Sequence, residues 1–343
     1  MMSKWFSQGL GSGRLEPFYL RSEQTHVVPH EVTITTLVTL NRLPVLQRLA
    51  EHYQGPISAV LHIDDNEQQD RLLEETRQMY LDHPAMRRHV DIHVLVDKYE
   101  RQFNLWRNLA KMYARTDYIL MLDVDFLVSP SIRQILPTLA PNLIDALRLG
   151  KAALVIPAFE EKQKTTNNNN KTDLFPTSKK ELIHQVKQHK VDMFHSFWLK
   201  GHGATNYTHW YTATAPYKVV DYNYAYEPYV IIKKEDTAWC DERFIGYGAN
   251  KAACHFELYI SGVDYFVLPD EYLLHQYHPY PENTRSYERQ LNRKLYDHFR
   301  EEICFRYARS MMARGQWDTE QADNAKRECR KIKHWKDLME NVQ

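Results

Sequence analysis

From position 32 onward, short apolar runs rich in β-branched residues alternate with longer segments whose apolar residues recur every three or four positions. Val32-Thr33-Ile34-Thr35-Thr36-Leu37-Val38 reads as a strand, because branched side chains pack well on a pleated surface. Arg42 to Tyr53 sets Leu43, Leu46, Leu49 and Ala50 at helical spacing, and Gly55-Pro56 ends that helix. A strand at 57–63, a helix at 68–82, a strand at 90–96 and a helix at 104–114 follow. The last leads into the apolar run Tyr118–Val128. This rhythm predicts βαβ units in an α/β fold, with a mostly parallel sheet flanked by helices.

The second half is less regular. Segment 132–139 reads as a helix, 152–157 as a buried strand, 179–190 as a helix, 226–232 as a strand, 250–260 as a helix and 265–269 as a strand. Residues 286–343 are charged and helical in pattern. Residues 1–28, with Gly9, Gly11 and Gly13, read as a poorly ordered lead-in. The polar stretch 160–176, with Asn167 to Asn170, reads as a surface loop. Lys200-Gly201-His202-Gly203-Ala204-Thr205-Asn206 reads as a small-residue loop suited to a site. There is no internal repeat. The expected organisation is a lead-in (1–28), a single catalytic domain (29–313) and a helical tail (314–343).

The chemistry concentrates where the 118–128 run turns acidic, at Leu122-Asp123-Val124-Asp125. Alternation along a strand sends Asp123 and Asp125 to one side. Adjacent carboxylates repel, and a hard divalent cation such as Mn²⁺ or Mg²⁺ relieves the conflict. Ligands of α/β sheets bind beyond the carboxyl ends of strands, where this pair is expected. So short a pattern also arises as a solvated strand end.

Lys+Arg and Asp+Glu both number 44, so the formal net charge is zero and no basic stripe points to nucleic acid. The 22 Tyr, 13 Phe and 7 Trp suit stacking on sugar rings as well as a filled core. Cys240, Cys254, Cys304 and Cys329 show no C-x-x-C pair, and their pairing stays open. Asn170 and Asn206 each begin an N-x-T sequon. No apolar run of about 18 residues occurs, and the start lacks a signal-peptide core. Either the protein is cytoplasmic, or a membrane anchor lies outside this sequence.

Many further stretches, in one order, give the acidic pair a context. They are Gly55-Pro56-Ile57-Ser58, Asn104-Leu105-Trp106-Arg107-Asn108, Leu122 to Phe126, Val155 to Glu160, Lys200-Gly201-His202, Thr205-Asn206, Trp210, Thr212-Ala213-Thr214, Glu227-Pro228-Tyr229-Val230, Arg243-Phe244, Asn250-Lys251 and His275. Together they resemble glycosyltransferase family 49, the group that includes the second catalytic domain of LARGE, over roughly residues 28–313. The resemblance implies a GT-A fold, a UDP-sugar donor, a manganese ion and inversion at the anomeric carbon. It further implies glucuronic acid transfer to a glycan acceptor in the Golgi lumen. Other UDP-sugars (GlcNAc, galactose or xylose) and a non-catalytic carbohydrate-binding relative are the alternatives. Gly248-Ala249-Asn250-Lys251 stands where the family has an aromatic second residue, the segment after His275 differs, and the asparagine run resembles an insertion.

On this resemblance Asp123, Asp125 and His275 are the expected metal ligands, with His278 as the fallback. Asn104, Arg107 and Asn108 share a helix face and are expected at the donor, with Arg107 at its diphosphate or sugar carboxylate. Thr39, Asn41 and Arg42 are expected at uridine, and His202, Thr205 and Asn206 at donor sugar or acceptor. The acceptor hydroxyl needs a base, for which Glu227 is preferred and Asp241 is second.

Overall fold

The computed structural model describes residues 13–24, 28, 30–162, 175–276 and 285–340. His278, the asparagine run and the Asn170 sequon lie outside the described residues. The strands are β1 (Arg14–Leu20), β2 (Val32–Thr39), β3 (Ile57–Asp64), β4 (Val90–Asp97), β5 (Tyr118–Met121), β6 (Phe126–Val128), β7 (Ala152–Ile156), β8 (Ala158–Glu161), β9 (Val191–Met193), β10 (Tyr217–Lys218), β11 (Tyr229–Lys233), β12 (Asp264–Val267) and β13 (Leu273–His275). Among the described residues they form a nine-stranded sheet, β1-β4-β3-β2-β5-β11-β7-β12-β10, and a four-stranded sheet, β6-β13-β8-β9.

The larger sheet is mixed in a patterned way. β4, β3, β2 and β5 are mutually parallel, as the strand–helix rhythm requires. Helices α1 (Leu43–Tyr53), α2 (Gln69–Asp82) and α3 (Phe103–Tyr113) make the crossovers. β11 then runs antiparallel to both β5 and β7, and β7 pairs in parallel with β12. Helix α4 (Asn250–Ile260) is buried along its whole length, and α5 (Arg285–Ala313) packs over it. One apolar core forms around β2, β3, β4 and α1, and a second around β11, β12, α4 and α5.

Several expectations are corrected. Residues 14–20, read as part of a disordered lead-in, form edge strand β1 against β4. A proline and a positive φ at Phe18 hide its period-2 signal. Its dock is polar: the Ser22 and Phe18 amides donate to Asp91 (2.8 Å) and His93 (2.9 Å) of β4. The helix read at 132–139 is two 3-10 turns, Ile132–Gln134 and Leu136–Thr138, because Pro137 cannot continue a helix. The strand read at 226–232 begins only at Tyr229, after Pro228, which has no donor for the ladder. The 200–206 loop is a string of short helical turns. The tail is no appendage. After Gly315 it folds back, Cys329 pairs with Cys304, and Ala322, Ala325, Ile332 and Trp335 enter the second core.

The correction that matters most concerns the acidic pair. The 118–128 run is not one strand. β5 stops at Met121, the chain turns through 122–125, and β6 resumes in the smaller sheet. The Phe126 amide donates to the Asp123 carbonyl at 3.3 Å, closing the turn. Asp is a poor strand residue, and a carboxylate taken partly out of water needs donors that a ladder does not supply.

Candidate active site

Two chain segments leave the larger sheet at one end and enter the smaller. β5 passes through the acidic turn into β6, and β7 passes through Pro157 into β8. β13 lies between β6 and β8, with His275 opposite Phe126 on one side and Glu160 on the other. β11 runs antiparallel between β5 and β7, so Glu227 and Tyr229 come to the same end. The site therefore sits where the two sheets part.

His275 Nε2 lies 3.5 Å from Asp125 Oδ2, and the Gln276 amide donates to the Asp125 carbonyl (2.8 Å). Asp123 faces the other way. Its Oδ2 accepts from Lys251 Nζ at 2.7 Å and from the Tyr229 hydroxyl at 2.8 Å, while Arg107 Nη2 stands 3.6 Å from Oδ1. Lys251 Nζ also donates to the Tyr229 oxygen (2.9 Å), and its side chain is 9% exposed. Burial pushes the Asp123 carboxyl up, but Lys251 and Arg107 outweigh it and hold it below the usual carboxylate range. Among the described residues no group of three or more His, Cys, Asp or Glu side chains stands ready-assembled around a metal position. Asp125 and His275 meet, and Asp123 is turned to its cations.

Of the expected donor face, Arg107 reaches this centre. It donates from Nη1 to Asn104 Oδ1 (2.9 Å) and Asn250 Oδ1 (2.7 Å). Asn104 and Asn108 are buried and committed elsewhere. Asn104 donates to the carbonyls of Asp241 (2.8 Å) and Asn250 (3.0 Å). Asn108 donates to the Cys240 carbonyl (2.9 Å) and Glu242 Oε1 (2.7 Å), and accepts from the Cys240 amide (2.9 Å). Both fasten α3 to the 240–250 segment, where Cys240 is disulfide-bonded to Cys254. Thr39 and Asn41 bond to each other (2.6 Å) at the carboxyl end of β2, with Arg42 half-buried beside them.

Glu227 is half-buried, and its amide donates to the Gly201 carbonyl (2.8 Å). Gly201 is needed there, since a Cβ would lie 2.6 Å from the Trp198 ring. Burial raises the Glu227 pKa, against the pull of Lys251, Arg107 and the Ala252 amide that its carboxylate accepts. Asp241 has both oxygens clamped by Arg243, at 3.0 Å and 2.6 Å. His202 is buried with its ring stacked 6.4 Å from Tyr229; burial first and Lys251 next hold it neutral, well below the usual imidazole range. Thr205 is bonded to the Tyr226 hydroxyl (2.7 Å). Asn206 is exposed, holds a left-handed backbone (φ 55°) and caps the Tyr207–Trp210 turn through the His209 amide.

Sequence reasoning assigns no role to Tyr229, Lys251, His195 or Glu160. Tyr229 and Lys251 stand inside stretches that match the family, which marks them without giving either a role. The His195 amide donates to Glu160 (3.0 Å), and burial, with Lys251 and His275 nearby, lowers its ring pKa to about 4.

A family model described as "Glycosyl-transferase for dystroglycan" matches residues 31–103 and 97–308. The chain belongs to glycosyltransferase family 49. Among its family-49 relatives, "Xylosyl- and glucuronyltransferase LARGE2" of Rattus norvegicus is 34% identical over 253 residues, 73% of this chain and 35% of that protein. "Xylosyl- and glucuronyltransferase LARGE1" of Homo sapiens is 33% identical over 253 residues, 72% of this chain and 31% of that protein. The chain thus spans about a third of the length of these relatives. The crystal structure of GalNAc-T7 with UDP, GalNAc and Mn²⁺ superposes with a TM-score of 0.45 at 12% identity, covering 91% of this chain and 57% of that one. That likeness is too distant to add to the assignment.

Proposed function

We propose that this chain is a metal-dependent, inverting glycosyltransferase of GT-A type that moves a sugar, glucuronic acid first among candidates, from a UDP-sugar to a glycan acceptor. The observation supporting it is the Asp125–His275 pair set beside Asp123, which Lys251 and Arg107 already counter. The donor set of carboxylates and imidazole fits Mn²⁺ or Mg²⁺. Asp125 and His275, with Asp123 two residues upstream of Asp125, are the residues that would hold the ion. When bound it supplies Lewis-acid stabilisation of the leaving diphosphate.

The chain's own residues do the rest. Arg107, fixed by Asn104 and Asn250, presents a planar guanidinium to the diphosphate or to a sugar carboxylate. Glu227, with its pKa raised toward the working range of a base, accepts the acceptor hydroxyl proton. Asp241 is a weak second candidate because Arg243 occupies both its oxygens. Two disulfides are in keeping with an oxidising compartment, and with the Golgi lumen as the place of action. The test is UDP release across a panel of UDP-sugars with Mn²⁺. Release is expected with UDP-glucuronic acid and is lost on adding a chelator. Release indifferent to chelation, or none with any donor, overturns the proposal.

A further inference from the structure

Lys251 is an unusual neighbour for a metal site. Its ammonium is 9% exposed and sits on one oxygen of Asp123 at 2.7 Å, while Arg107 faces the other oxygen at 3.6 Å. The first acid of the pair is thus already neutralised by protein cations. Lys251 is fixed from three sides: by Asp123, by the Tyr229 hydroxyl at 2.9 Å, and by its own place in the first turn of the buried helix α4. Its ammonium also lies 4.1 Å from the Tyr229 ring centre, a cation–π contact that helps to fix its position.

We propose that Lys251 is a built-in counter-ion that makes metal and nucleotide bind as a set rather than singly. This rests on the transferase reading above. Without nucleotide, a divalent cation beside Asp123 meets two fixed positive charges in a partly buried setting, where such repulsion is poorly screened. A diphosphate brings the missing negative charge. It is attracted by Lys251 and Arg107 as well as by the ion, so each ligand favours the other, and the coupling is reciprocal. The protein thereby disfavours holding metal in an empty site.

The test is a binding cycle on the folded protein, read without turnover: Mn²⁺ affinity by electron paramagnetic resonance, with and without UDP. Lys251→Gln removes the charge and leaves a neutral amide donor on a somewhat shorter side chain. It is expected to tighten Mn²⁺ binding in the absence of UDP by about fivefold or more, the lower range of ordinary coupling, and to weaken UDP binding in the absence of metal. A merely structural loss would weaken both. Lys251→Arg keeps the charge and is expected to leave metal-only affinity near wild type. Arg107→Gln, which removes the other cation, is expected to shift Mn²⁺ affinity in the same direction by less, and it decides the matter should Lys251→Gln fail to fold. Unchanged or weaker metal-only binding in the folded charge-removing variants overturns the proposal. Wild-type protein that binds neither Mn²⁺ nor UDP overturns the transferase reading itself.

Discussion

The β4-β3-β2-β5 half of the main sheet and the β11-β7-β12-β10 half are organised differently. In the first, successive strands pair in parallel through helical crossovers, and β3 and β4 are buried almost end to end. In the second, pairing switches between antiparallel and parallel, and the order departs from the order in the chain. A fully buried helix, a returning C-terminal segment and two disulfides complete it. The first half is held by local units, each carrying its own period. The second is held by contacts between residues far apart in sequence. The site draws on both, with Arg107, Asp123 and Asp125 from the first half and Glu227, Tyr229 and Lys251 from the second, while His275 comes from β13 of the smaller sheet.

The largest expected effects come from breaking the site on each side of that divide. Asp125→Ala, on the first-half side, is expected to cut UDP-releasing turnover by at least about 100-fold and to abolish Mn²⁺ binding. Glu227→Gln, on the second-half side, is expected to cut turnover by roughly 100-fold while Mn²⁺ and UDP still bind. Steady-state kinetics with metal-binding measurements separate the two. If Glu227→Gln turns over near the wild-type rate, Glu227 is not the base. If Asp125→Ala still binds Mn²⁺ normally, the ion is held elsewhere.

The same divide explains what could be read from the sequence. The crossovers around β2, β3 and β4 announce themselves by period, and α4 was legible from Asn250 to Ile260 because its stretch is long and sharply bounded. What escaped was set by long-range contact. β1 hides behind Pro17 and a left-handed Phe18, and its distant ladder with β4, together with the dock on Asp91 and His93, makes it a strand. The acidic run reads as one strand, yet its second part belongs to another sheet. Asn104 and Asn108 share a helix face with Arg107, and periodicity cannot tell that they hold the 240–250 segment rather than reach a ligand. Lys251 carries no local mark of being the partner of an acid 128 positions away.

A medium effect is expected at the seam between the halves. Asn108 satisfies the Cys240 amide and carbonyl and Glu242 at once, all of them buried. Asn108→Ala removes the side-chain partner of the Cys240 amide and carbonyl and one donor to Glu242, in a place water does not easily reach. The expected loss is on the order of 3 kcal/mol of unfolding free energy, from chemical denaturation. A loss below about 1 kcal/mol would mean that water or local repacking takes over, and that the seam is softer than the long-range rule implies.

The smallest effect tests the rule from the opposite side, at an element of the second half that is written locally. Ser178 adopts the extended backbone of a helix start, and its Oγ accepts from the Glu181 amide (3.3 Å). Glu181 reaches back to the Thr177 amide at 2.8 Å and hydroxyl at 3.0 Å, a variant of the reciprocal capping pattern. These bonds hold Glu181 below the usual carboxylate range, so their contribution is present above its unfolded pKa and is lost as pH falls through the lower folded value. The pair lies on the surface of the Lys179–Lys187 helix and ties no distant segments together. Ser178→Ala is expected to cost about 1 kcal/mol, a typical value for a lost cap, and to leave UDP release unchanged. A cost as large as that of Asn108→Ala would show that the start of this helix is coupled to the core beneath it, and that the second half contains no separable local unit even where its sequence signature is clear.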